Sequence, residues 1–309
     1  MKPQQLPVPE HLSMKNSRVD QGPLVSVLVP AYNHEQYVEE ALQSIINQTY
    51  QNIELIVIND GSTDGTGRVI ERFIQRNPEF RITYLEQKNE GICKTLNKGL
   101  KIARGKYVAL LASDDKWTPD KTIKQVQFME RNDNIGLVFS DHYFMRFREI
   151  TEIKATDYKP SIRRCFKRGV QNVNIYEKLL TEDIIPALTV LMRKDCIDRL
   201  GGFDADLEAE DYDMWLRMAK EYPIAFIDEP LAYYRVHETN LSNRVMNMHS
   251  IRFLMKVLRK QYSKKPLKGQ YWKVGYLFFK FWCTLALNRA IKVSLLSKTT
   301  RRSRAGPEN

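Results

Sequence analysis

Between Leu24 and Ser140, short apolar runs alternate with segments of helical spacing, and this alternation limits the fold of the 309-residue chain more than any other feature. The runs are Leu24 to Val29, Ile53 to Ile58, Arg81 to Leu85, Tyr107 to Leu111 and Leu137 to Ser140. Each is brief and bounded by turn formers, as strands buried on both faces are. Between them lies Glu35 to Asn47, with Val38, Leu42, Ile45 and Ile46 at helical spacing. Thr66 to Arg76, Ile92 to Ala103 and Asp120 to Arg131 repeat the helical pattern, the last opened by Pro119. Strands alternating with helices of ~10–15 residues predict an α/β fold with a mainly parallel central sheet flanked by helices. Such sheets bind ligands at the carboxyl ends of their strands. The chemistry is therefore sought there.

After residue 141 the pattern changes. His142 to Arg168 is basic and irregular, and reads as a hairpin or loop. Asn174 to Leu180 reads as a short helix, Thr189 to Met192 as a strand, and Asp211 to Lys220 as a helix. Ile224 to Ile227 and Leu231 to Arg235 read as two further strands, and helices dominate from His249 to Leu296. Residues 1–22 read as a disordered lead-in that ends at Gly22-Pro23.

The net charge of +11 is unevenly placed. From Arg252 onward, fifteen Lys and Arg face one acid, Glu308, so the rest of the chain is mildly acidic. A basic tail suits an anionic surface, or is simply a solvated face. Tyr271 to Leu296 mixes Trp272, Phe278, Phe279 and Trp282 with Lys273, Lys280 and Arg289. That mixture fits a helix lying on anionic lipid, and equally a helix packed on the rest of the chain with its lysines in water. The tail holds no RNA or DNA module, so no nucleic-acid partner is expected. Cys93, Cys165, Cys196 and Cys283 have neither metal-ligand nor redox spacing and read as reduced structural thiols. The N-terminus lacks the apolar stretch of a signal peptide, and no uncharged apolar run reaches 18 residues. A cytoplasmic protein is expected, peripheral on the inner face of the membrane if the tail binds lipid.

No GxGxxG follows a strand and no GxxxxGK[ST] occurs, which excludes dinucleotide and P-loop readings. The first strand ends instead in Pro30-Ala31-Tyr32-Asn33, a loop able to offer backbone groups and a ring to a flat base. Tyr32 reads more readily as a packing residue. The second strand ends in Asn59-Asp60-Gly61-Ser62, where turn and cap preferences explain the glycine and serine better than the acid. A carboxylate there can accept the imide N–H of a pyrimidine. The fourth strand ends in Ala112-Ser113-Asp114-Asp115. Adjacent acids after an apolar strand suit a divalent cation and a diphosphate, or a helix N-terminus near Pro119. Glu208, Glu210, Asp211 and Asp213 form a second acidic cluster, more than one cap requires. One of them can serve as general base. Trp215 reads as core, and Arg217 as a partner of diphosphate or of an acid. His237 is a structural residue or a metal ligand.

Together these segments resemble the family 2 glycosyltransferases of GT-A fold. The likeness is carried, in order, by VSVLVPAYN at 25–33, VINDGSTDGT at 57–66, GKYVALLASDDKW at 105–117, GGFD at 201–204, EDYDMWLRMA at 210–219 and YRVHETNLS at 234–242. It implies a Rossmann-like GT-A domain over 23–245, with a basic helical extension at 246–309. It implies inverting transfer of a hexosyl or N-acetylhexosaminyl group from a nucleoside diphosphate sugar, a UDP-sugar first. The acceptor is a saccharide or lipid-linked saccharide in surface polysaccharide synthesis, and the cofactor Mn²⁺ or Mg²⁺. Carried onto this chain, Pro30, Ala31, Tyr32 and Asp60 hold the base and Asp114 the ribose. Asp115 binds metal, His237 makes a second contact to metal or diphosphate, and Asp211 is the catalytic base. The chain departs from the pattern at Ala112, where many relatives carry Asp, and at Leu96, where many carry Arg. Lys94 is the cation expected to compensate. A non-catalytic sugar-nucleotide or carbohydrate binder on the same fold is the alternative, and the acids at 114, 115 and 211 speak against it, because binding needs no base.

Overall fold

Val25–Ala31 (β1) and Ile53–Asp60 (β2) are buried along almost their whole length, as central strands are. In this computed structural model, residues 22–166, 175–238 and 240 are described, with 256, 257, 260 and 279 beyond them. The further strands are Ile82–Gln87 (β3), Tyr107–Leu110 (β4), Lys116–Trp117 (β5), Leu137–Arg146 (β6), Glu149–Lys154 (β7), Leu191–Arg193 (β8) and Ile224–Val236 (β9). They join one sheet in the order β3-β2-β1-β4-β8-β6-β9-β5, with β7 paired to β6. β3, β2, β1 and β4 pair in parallel, as do β6 and β9. β8, β5 and β7 run against their neighbours. The sheet is thus mainly parallel, as the alternation predicts.

Helices cover both faces. They are Val38–Ile46 (α1), Thr66–Arg76 (α2), Ile92–Ile102 (α3), Lys121–Glu130 (α4), Ala155–Tyr158 (α5), Ser161–Cys165 (α6), Ile175–Leu179 (α7), Lys194–Arg199 (α8) and Asp211–Glu221 (α9). Leu42, Ile45, Phe73 and Met129 pack α1, α2 and α4 against one face. Leu96, Leu179, Ile197 and Trp215 pack α3, α7, α8 and α9 against the other. Trp215 is fully buried, as its place in the sequence suggests. Its large apolar surface holds α9 against the sheet. Gly202, at φ +77°, lets the chain pass Asn97, whose amide bonds both the N–H and the carbonyl of Phe203. A side chain there would strike Asn97 Oδ1.

Three sequence expectations change. β6 continues past Ser140 through Asp141 and His142, both buried. Polar residues end strands in sequence reasoning, but here the Thr156 hydroxyl donates to Asp141 Oδ2 at 2.6 Å and satisfies it. The two expected late strands are one, β9, whose register against β6 shifts between Ser140 and His142. The charged residues Asp228 and Glu229 sit at that irregularity. Thr189 belongs to a short 3₁₀ turn, Ala187–Thr189, and β8 starts after it.

The lead-in at 1–21, the basic stretch 167–174 and nearly all of the C-terminal extension lie outside the described residues. Three described positions in the extension do meet the domain. Val257 is fully buried in the hydrophobic core that also holds Trp215. Lys256 donates to the Asp206 carbonyl at 2.5 Å, and Lys260 pairs with Asp204. At these points the extension packs on the protein. Among the described residues no helix is long and apolar enough to cross a membrane.

Candidate active site

The loops that leave β1 and β2 are stitched together. Asn33 adopts φ +54°, a conformation Asn tolerates better than most residues. Its N–H donates to Ser62 Oγ at 3.0 Å, and its Oδ1 accepts the N–H of Thr63 at 2.8 Å. The His34 N–H donates to Thr66 Oγ1 at 2.8 Å, and Glu35 accepts the N–H of Gly65 at 2.7 Å. Pro30 is half-buried and Ala31 buried. Tyr32 is 45% exposed, so the packing role expected of it fails, and its ring is open to a ligand.

Asp60 ends β2 and is buried. Its carboxylate accepts Gln87 Nε2 at 2.7 Å, the Glu90 N–H at 2.8 Å and the Gly91 N–H at 3.0 Å. Those two amides open α3, so Asp60 ties β2 to the start of that helix. Gly61 follows at φ +72°, where a side chain would meet the backbone of Asn89. Lys94 lies exposed on the first turn of α3, while Leu96 is buried in the core.

Asp114 and Asp115 do not open a helix. They precede the short strand β5, and α4 starts only at Lys121, so a helix N-terminus does not account for them. Asp114 is buried, and its Oδ2 stands 2.9 Å from His237 Nε2 and 3.8 Å from His34 Nε2. The three ligand atoms lie within 4.8 Å of one another. Asp115 is outside that group, and its Oδ1 accepts the Arg235 N–H at 2.8 Å. Burial acts to raise the Asp114 carboxyl, but the hydrogen bond from His237 and the charges of His34 and His237 win and hold it below its ordinary value. The donor set is two imidazole nitrogens and a carboxylate oxygen, which fits a divalent transition metal.

Arg235 braces this turn. It is 1% exposed. Its Nε donates to the Asp114 carbonyl at 2.6 Å, its Nη2 reaches Glu40 at 2.5 Å, and its guanidinium lies 4.9 Å from the centre of the Tyr37 ring. Tyr37 in turn packs on His237, with ring centres 4.9 Å apart.

The second acidic cluster opens α9. No side chain caps this helix. Glu210 and Asp211 are half-buried where α9 begins. Burial, then the charge of Glu210, pushes Asp211 up to about 7. Burial, then the charge of Asp211, pushes Asp183 to about 7 as well. Asp183 was not singled out from sequence, because nothing near it in the chain signals the partnership. The charges of Glu210 and Asp211 also reach Cys93 on α3. Arg217, expected to meet diphosphate or an acid, pairs with Asp213 at 2.7 Å.

The sequence model of Glycosyl transferase family 2 matches residues 26–188. Bacillus subtilis TuaG, a glycosyltransferase named for teichuronic acid biosynthesis, is 31% identical over 222 residues, which cover 72% of this chain and 82% of TuaG. The chain belongs to glycosyltransferase family 2. Solved glycosyltransferases confirm the GT-A fold. A Pyrobaculum calidifontis mannosyltransferase in complex with GDP-Man and Mn²⁺ superposes at TM-score 0.63 and 20% identity, covering 93% of this chain and 82% of its own. S. aureus TarS in complex with UDP-GlcNAc gives 0.55 at 19% identity, over 80% of this chain and 75% of that one. Within this family 2 glycosyltransferase, sequence reasoning missed His34, Asp183 and Arg235. His34 follows the recognisable Pro-Ala-Tyr-Asn loop, but its partners lie far along the chain, at Ser113 and Asp114.

Proposed function

We propose that this glycosyltransferase moves a hexosyl or N-acetylhexosaminyl group from a nucleoside diphosphate sugar, a UDP-sugar first, to a saccharide or lipid-linked saccharide with inversion. Polysaccharide assembly is the process it serves, a reading supported by the likeness to TuaG. The observation that carries the proposal is the group of His34, Asp114 and His237, whose ligand atoms lie within 4.8 Å of one another. Asp211, at the start of α9 and held up to about 7, supports the role of base.

In this reading Tyr32 offers its exposed ring to the nucleobase, and the backbone of Pro30 and Ala31 shapes the floor beneath it. Asp60 fixes the start of α3 and presents its remaining lone pair to the base. Lys94 is free to meet the diphosphate. In this reading Asp114 and His237 hold the metal; Asp115, expected as its ligand, lies outside their group. Bound there, Mn²⁺ supplies Lewis-acid stabilisation of the leaving diphosphate. Asp211 takes the proton of the acceptor hydroxyl as that oxygen attacks the anomeric carbon. A pKa near 7 suits a group that must accept a proton and release it again. A single displacement needs no enzyme nucleophile and inverts the anomeric centre. Asp115 steadies the turn through Arg235.

The test is a panel of UDP-sugars, TDP-glucose and GDP-mannose, each with Mn²⁺ and a set of saccharide acceptors. Acceptor-dependent release of a nucleoside diphosphate is expected, with a product of opposite anomeric configuration by NMR. Release of pyrophosphate from a nucleoside triphosphate, or donor binding without any turnover, defeats the proposal.

A further inference from the structure

We infer that His34 is a third protein ligand of the divalent cation, and that its imidazole makes the seat prefer Mn²⁺ to Mg²⁺. This rests on the reading that Asp114 and His237 hold the metal. The sequence gives no hint of it, because His34 sits in the loop after β1, beside residues expected to touch only the base.

Its surroundings are those of a ligand. His34 Nδ1 lies 2.8 Å from Ser113 Oγ. With the proton on Nδ1 and donated to that oxygen, Nε2 keeps its lone pair and faces Asp114 Oδ2 across 3.8 Å. Metal-bound histidines are commonly oriented by such a bond from their second nitrogen. The backbone is fixed as well, since the His34 N–H donates to Thr66 Oγ1 at 2.8 Å. The ring packs edge-on against both Tyr37 and His237. Donors bound at ~2.0–2.3 Å to one ion stand ~3–4.5 Å apart. The His34, Asp114 and His237 ligand atoms, all within 4.8 Å of one another, need at most a slight closing movement.

The donor set sets the preference. Mg²⁺ favours oxygen ligands and keeps several of its waters. Imidazole nitrogen suits Zn²⁺, Fe²⁺ and Ni²⁺ best, and Mn²⁺, a weaker acceptor of nitrogen, still takes it more readily than Mg²⁺ does. Two imidazoles beside a single carboxylate therefore favour Mn²⁺, and removing one of them narrows the difference. A plain histidine–aspartate ion pair, with no cation, is the competing account.

The experiment uses the full chain and its variants His34→Ala, His34→Gln, Ser113→Ala and Asp114→Asn. Mn²⁺ binding is followed by EPR of the free ion, and Mg²⁺ by competition, each with and without UDP or GDP. Thermal melts confirm that every variant is folded, and His34→Gln keeps the bulk of the side chain. The wild-type chain is expected to bind Mn²⁺ at least tenfold tighter than Mg²⁺. Both His34 variants should weaken Mn²⁺ by about tenfold or more and leave Mg²⁺ nearly unchanged, with a smaller loss in Ser113→Ala. If the His34 variants bind Mn²⁺ like wild type while Asp114→Asn does not, His34 is no ligand and the metal reading stands without it. If Asp114→Asn also binds normally, or wild type binds no cation, both fall.

Discussion

Arg235 Nε donates to the main-chain carbonyl of Asp114 at 2.6 Å, so strand β9 holds the turn that carries both acids of the site. The same residue's N–H holds Asp115. A buried arginine therefore acts on the site without facing it.

Replacing Arg235 by Met should cost stability and metal affinity together. Glu40 loses its guanidinium partner, and the Asp114 carbonyl loses its donor. Losing one partner of a buried ion pair costs ~3–5 kcal/mol, and the lower end applies because Glu40 stays 36% exposed and keeps Lys116. Urea unfolding reads the first effect, and Mn²⁺ binding with UDP reads the second.

Asp211→Asn should lower kcat by about 10²–10⁴-fold, the usual worth of a general base. Donor affinity in Mn²⁺ should change little, since Asp211 lies outside the Asp114 group. Turnover near the wild-type rate removes Asp211 from the chemistry.

The pH profile follows from the same carboxyl. Held up to about 7, Asp211 is mostly protonated at about pH 6 and mostly ionised at about pH 8, so kcat/KM should rise across that interval. The midpoint belongs to the coupled acids rather than to one residue. The charge of Glu210 helps raise Asp211, so Glu210→Gln should shift the midpoint to lower pH. A profile that is flat there would count against Asp211 as the titrating base.

Asp183 gives a stability test independent of turnover. Its folded carboxyl titrates near 7, against ~4 in an unfolded chain. Between those values the folded state binds more protons than the unfolded state, so stability falls as pH rises through this window. Asp183→Asn removes that loss. Its Tm relative to wild type should therefore be higher at about pH 8 than at about pH 4. Calorimetry at both pH values decides, and equal differences dismiss the argument.

Asp60→Asn should destabilise by ~1–3 kcal/mol even without ligand, because Asn keeps a single acceptor oxygen and one of the Glu90 and Gly91 N–H groups, bound to different oxygens of Asp60, is left facing an amide NH₂. Thermal melts of the unliganded chain measure this. A variant as stable as wild type would mean that Asp60 serves the ligand alone.

Much of the framework was legible because hydrophobic periodicity is a local property. Thr66–Arg76 is a helix at the positions its spacing gives, and strands β1 to β4 fall within two residues of their apolar runs. Reading failed where long-range partners decide. Asp141 belongs to a strand only because Thr156 satisfies it. The bulged middle of β9 looks like a turn until β6 is beside it. At the site, adjacent acids such as Asp114 and Asp115 cannot be assigned separate directions from sequence. The chain brings His34 and His237 to the first of them from opposite ends of the domain.

The interlocked loops at 32–35 and 61–66 carry a lesson for engineering. Each supplies hydrogen-bond partners the other lacks, so they form one rigid rim. Exchanging either loop alone for that of a relative with another nucleotide strips the second of its supports. A graft meant to alter nucleotide preference must move both segments as a single cassette.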